Sequence, residues 1–99
     1  MKKAKVFFTS FRTEAFGKSL LDKLSDLIVK AGIGKIDFNG KFTAIKIHFG
    51  EPGNLAFLRP NFAKVVVDEV KKLGGKPFLT DCNTLYVGRR KDALEHIET

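Results

Sequence analysis

Three short β-prone runs, separated by stretches whose apolar residues recur at helical spacing, constrain this chain more than any other feature. The runs are residues 5–11, with Val6, Phe7, Phe8 and Thr9 in succession; residues 43–49, Thr-Ala-Ile-Lys-Ile-His-Phe; and residues 77–81, Pro-Phe-Leu-Thr-Asp. All are rich in the branched and aromatic side chains that suit a pleated surface. Between the first two, Phe16, Leu20, Leu24, Leu27 and Ile28 form the stripe of a helix expected over 14–31, with Thr13 as its N-cap and Gly32 as its stop. Between the second and third, Phe62, Val66, Val70 and Leu73 form another, opened by Pro60 in the first turn and closed by Gly74-Gly75. A third helical pattern covers residues 90–97, with Ala93, Leu94 and Ile97 on its apolar side.

Strands that alternate with helices imply crossovers and same-direction strands. The expected fold class is therefore α/β: a two- or three-layer βαβαβα unit around a small parallel three-stranded sheet. Asn39-Gly40 carries the opposite signal, since Asn-Gly between β-prone segments is a strong hairpin marker. A simple loop ranks first there, because the segment upstream is short and follows directly on Gly34, and the hairpin stays open as the alternative.

With 99 residues and 43% hydrophobic content the chain fits one α/β domain over 1–99 with a thin core. The last helical pattern runs to Thr99 with no exit signal, so the expectation is the N-terminal piece of a longer protein, whose remainder would be its partner. The single cysteine, Cys82, allows no internal disulfide and, with two histidines, too few ligands for a zinc site of this chain's own. Lys2-Lys3 is not followed by a signal-peptide apolar core, and no run is long enough to cross a membrane, which makes the cytoplasm the default. Eighteen Lys and Arg against 11 Asp and Glu give a net charge of +7 and favour anionic partners. No nucleic-acid-binding motif accompanies the charge, so nucleic acid ranks below a small anion.

In a parallel sheet the loops after the strands gather at one edge, where ligands bind. Polar groups concentrate there: Ser10, Arg12 and Thr13 after the first run; His48, Gly50, Glu51, Gly53, Asn54 and Arg59 after the second; Asp81, Cys82, Asn83, Thr84, Tyr86, Arg89 and Arg90 after the third. Gly50 and Gly53 allow backbone N–H groups to face an anion, and Arg12, Arg59, Arg89 and Arg90 can hold a carboxylate or phosphate in bidentate fashion. Plainer roles compete. His48 can simply line the less apolar strand face, Asp81 can cap its own loop rather than bind a metal or take a proton, and the arginines can pair with nearby carboxylates. Cys82 reads more readily as a small packed residue than as a nucleophile with His48 as base.

The runs Ile45-Lys46-Ile47-His48-Phe49-Gly50-Glu51-Pro52-Gly53-Asn54, Phe57-Leu58-Arg59-Pro60 and Thr80-Asp81-Cys82-Asn83-Thr84-Leu85-Tyr86-Val87-Gly88-Arg89 resemble domain-of-unknown-function family 362. The resemblance spans nearly the whole chain and is most specific over 45–60 and 77–90. Many full-length members append a ferredoxin-type module with two [4Fe-4S] clusters, so it implies an iron-sulfur, redox-associated setting with the clusters beyond residue 99. Cys82 alone holds no cluster. The positions carried over as a ligand-binding set are Lys46, His48, Gly50, Glu51, Asn54, Arg59, Asp81, Asn83, Thr84 and Arg89, with no metal and no catalytic residue assigned. The expectation is a portion that binds a small anionic molecule within a redox-associated protein. A basic nucleic-acid-binding module, or a structural domain with no site of its own, is the alternative.

Overall fold

A computed structural model describes residues 3–13, 15–50 and 52–82. Within them the chain runs α1 (Leu20–Ala31), a short 3-10 turn (Ile33–Lys35), β1 (Phe42–Lys46), α2 (Pro60–Lys72) and β2 (Lys76–Thr80). The third helical pattern, residues 90–97, lies outside the described residues.

The strands pair in parallel, Phe42 beside Lys76 through Lys46 beside Thr80. The Asn39-Gly40 hairpin is therefore not formed. Asp37 accepts the Asn39 N–H at 3.1 Å, Lys41 N–H closes a turn onto Phe38 O at 2.9 Å, and Gly40 N–H reaches across to Gly74 O at 2.9 Å. The turn thus delivers the chain into β1 beside the exit of α2, and the next ladder bond, Lys76 N–H to Lys41 O, follows at 2.8 Å. The α2 crossover makes the parallel pairing possible, since such strands need a connection of a dozen or more residues.

Both helices show the expected stops, but α1 starts later than its apolar spacing suggests. Ser19, not Thr13, is the N-cap, and its Oγ accepts the Asp22 N–H at 3.1 Å. Gly17 explains the shift: glycine weakens a helix interior, while Ser19 followed by Asp22 supplies both a cap and a negative charge at the positive end of the helix. Phe16 accordingly falls outside the stripe and stands fully exposed in a turn. Gly32, at φ 102°, donates its N–H back to Val29 and Ile28 carbonyls, a conformation that only glycine adopts without strain. Pro60 occupies the first turn of α2 as expected.

Residues 3–10, which include most of the first β-prone run, make no ladder among the described residues. Val6 and Phe8 are 87% and 85% exposed. The α/β class with a parallel sheet is thus present, with two strands rather than three described. The helices pack on each other, α2 packs on β2, and both helices line a cleft against β1, a two-layer arrangement. Among the described residues Ala63 and Val70 are buried apolar residues, joined by Glu69, whose carboxylate is buried with them. Glu69 accepts from Ser25 Oγ of α1 at 2.5 Å and from Lys72 Nζ at 3.1 Å, and these bonds hold its carboxyl below the usual range. The opposite sheet face carries Phe42 and Phe78, 79% and 49% exposed.

Candidate functional site

β1 and β2 end side by side because their register sets Lys46 opposite Thr80. Ile47 N–H adds a bond to Thr80 O at 2.9 Å, after which the backbones diverge. The side chain of Asp81 bridges the gap. Its Oδ2 accepts the Phe49 N–H at 3.0 Å, its Oδ1 accepts the Cys82 N–H at 2.7 Å, and Lys46 Nζ stands 3.3 Å from Oδ1. The Asp81 side chain is only 3% exposed, whereas that of Lys46 is 54% exposed. Burial raises the Asp81 pKa, but the two backbone N–H groups and the Lys46 ammonium outweigh it and hold the carboxyl well below the usual carboxylate range.

Those bonds decide its chemistry. A carboxylate so strongly stabilised in its charged form is a poor proton acceptor at neutral pH, and its oxygens already serve the backbone. Asp81 is a brace for the rim, in line with the loop-capping role considered for it from sequence. Among the described residues no group of three or more His, Cys, Asp or Glu gathers in metal-binding geometry. Cys82 is exposed and free, not packed as its residue type suggested.

Lys46 and His48 instead border, at the strand end, a cleft of about 570 Å3 between β1, α1, α2 and residues 9–11. Its walls are mostly apolar, with Leu20, Leu24 and Leu27 from α1, Ile45 and Ile47 from β1, and Phe62 and Val66 from α2. Lys23 joins the cationic side, and its ammonium hydrogen-bonds the main-chain carbonyls of Ser10 and Arg12. The apolar spacing marks Leu20, Leu24 and Leu27 as the stripe of α1 and gives Lys23 no role in the site. The missed signal is the position of Lys23 between Leu20 and Leu24, on the border of the apolar stripe, where a long side chain reaches over the opening.

The other expected residues divide. Gly50 is buried at φ 99°, and a Cβ there would lie 3.0 Å from the Phe57 ring, so glycine is required both by conformation and by contact. Asn54 turns its Oδ1 to the Ala56 N–H at 2.8 Å and shapes the loop. Arg59 precedes α2 as its N-cap residue and lines a different hollow, with Lys18, Ser19 and Asn61. The structure thus pairs Lys46 with Asp81, sets Lys46 and His48 at one cleft, and places Arg59 at a neighbouring hollow. Glu51, Asn83, Thr84 and Arg89 lie outside the described residues.

The parallel β1–α2–β2 unit with a polar rim at its strand ends defines a small α/β scaffold. The family model for Domain of unknown function (DUF362) matches residues 43–99, and the chain belongs to that family. No curated protein and no solved structure matches it. No helix among the described residues is long and apolar enough to cross a membrane.

Proposed function

We propose that this chain binds a small anionic molecule with an apolar body, seated in the cleft with its charged end toward Lys46 and His48. The observation that carries this is the composition of the cleft: aliphatic and aromatic walls, with Lys46, His48 and Lys23 as its ionisable lining groups. Apolar walls with a few convergent polar groups are the usual make-up of a ligand site. Asp81 holds the Lys46 ammonium and the Phe49 amide in place, and the Lys46 side chain keeps about half its surface open to a ligand. On the resemblance of its motifs, the unit serves a redox-associated parent protein whose [4Fe-4S] clusters lie beyond residue 99.

Amide resonances of residues 45–50 and 81–82 are the direct probe, titrated with octanoate, benzoate and inorganic phosphate. Saturable shifts with octanoate or benzoate support the site. Unmoved resonances across the series overturn it, and salt-sensitive binding to DNA or RNA in their place would favour the basic nucleic-acid module.

A second reading rests on the outer sheet face, where Phe42 and Phe78 stand exposed. An apolar sheet face that the described residues leave exposed fits a structural unit docked on the rest of its parent protein. Saturable ligand binding in the isolated chain discriminates the two.

A further inference from the structure

We infer that residues 5–11 close onto the open edge of β1 as a third parallel strand, giving the order residues 5–11, β1, β2. This stands apart from any ligand, because it follows from the placement of the helices.

β1 pairs with β2 along one edge, and its other edge has no strand among the described residues. Such an edge presents a row of unpaired N–H and C=O groups, a template for one more strand. The end of the candidate strand is held at the cleft that β1 lines. Thr9, Ser10 and Phe11 line the same cleft as Ile45, Ile47 and His48, and the Lys23 ammonium on α1 holds the carbonyls of Ser10 and Arg12. Upstream of that tether, Val6 and Phe8 are almost fully exposed. A run of branched and aromatic residues gains most from a half-buried pleated position, and here it lies in water.

Handedness fixes which edge is used. Crossovers between parallel strands are right-handed in about 98% of cases. As the sheet grows from β1 to β2, such a crossover places α2 on one particular face. α1 packs on α2, with Ser25 and Glu69 in hydrogen-bond contact, and both helices line the cleft against Ile45 and Ile47, so α1 covers that same face. Two right-handed crossovers with helices on one face require the sheet to grow in one direction. The first strand must then lie beyond β1, away from β2. Placement beside β2 would send α1 to the opposite face. The 12 residues of α1 and its flanking segments give the connection ample length.

The test is amide hydrogen exchange on the 99-residue chain, with nuclear Overhauser contacts recorded between residues 6–9 and 43–47. Alternate amides in residues 6–9 should exchange on the order of 100-fold more slowly than in an unstructured peptide. Contacts should connect them to β1 and not to β2. Consecutive N–H groups of a strand point to opposite edges, so only one of Phe7→Pro and Phe8→Pro removes a ladder donor. That variant should lose protection across the segment, while the other keeps it. Exchange at random-coil rates, or contacts to residues 76–80, overturns the assignment. Contacts that arise only between differently labelled copies in a mixed sample show a strand exchanged between two chains, and overturn it as well.

Discussion

Removal of the Asp81 charge tests the rim most sharply. In Asp81→Asn the side chain keeps its shape and one acceptor oxygen, but it loses the Lys46 ion pair and sets an NH2 group against one of two backbone donors, Phe49 N–H or Cys82 N–H. A hydrogen bond to a charged group contributes about 1.5–3 kcal/mol, and an orphaned buried donor costs about 1–3 kcal/mol. Phe49 and Cys82 are both exposed residues, so water recovers part of that loss, and removal of the buried charge offsets a further part. The net expectation is a destabilisation of about 2 kcal/mol. For a domain of this size that lowers the melting temperature by roughly 8–16 °C, or the urea midpoint by about 1–2 M. The pH dependence carries an independent sign. Because the folded-state carboxyl titrates below its unfolded value of about 3.9, its stabilisation is fully present above that pH and is lost as pH falls toward the folded pKa. Urea midpoints measured at pH 7 and pH 3 should therefore converge between wild type and variant as the solution is acidified. Equal midpoints at pH 7 would falsify the view that Asp81 braces the strand ends.

Ser25→Ala should cost about 1–2 kcal/mol by thermal melting, since it deprives a buried carboxylate of a partner, and carboxyl resonances should place the Glu69 pKa higher than in wild type. Glu69 titrates low when folded, so its contribution also fades as pH falls, and Ser25→Ala should weaken that acid dependence. Gly50→Ala forces a Cβ into a φ of 99° and against Phe57; a loss of about 1–2 kcal/mol with displaced Phe57 ring resonances is expected, and an unchanged melting curve would contradict the requirement for glycine. Ser19→Ala should lower stability by about 1 kcal/mol, whereas Thr13→Ala should leave it within experimental error, which separates the observed helix start from the one suggested by apolar spacing.

The sequence disclosed what local rules control. Gly32 and Pro60 stop and start helices through their own backbone restrictions, so they announce themselves in one dimension. The parallel sheet was legible because a helical stripe separates residues 43–49 from residues 77–81. What escaped depended on neighbours distant in sequence. Thr13 and Ser19 are equally good capping residues in isolation, and the choice between them follows from Gly17 and from where α1 meets α2. β1 ends at Lys46, not at residue 49, because the Asp81 carboxylate captures the Phe49 N–H. Lys46, His48 and Asp81 were all legible as rim residues; the division of labour among them, one carboxylate inward and one cation outward, required the strand register. Arg59 was grouped with them by adjacency along the chain, but its place at the start of α2 turns it toward another hollow.

Glu69 has a geometric consequence. Two helices that met through aliphatic side chains alone could slide past one another by a turn, about 5.4 Å, and meet similar grease at the new position. The Ser25 hydroxyl and the Glu69 carboxylate permit no such indifference, because a slipped helix would take the hydroxyl away from a buried carboxylate and leave it Lys72 alone. They act as a key in a slot, fixing the longitudinal setting of α1, and with it the depth at which Leu20, Leu24 and Leu27 hang over β1. A single polar contact between the helices thereby sets the headroom of the cleft.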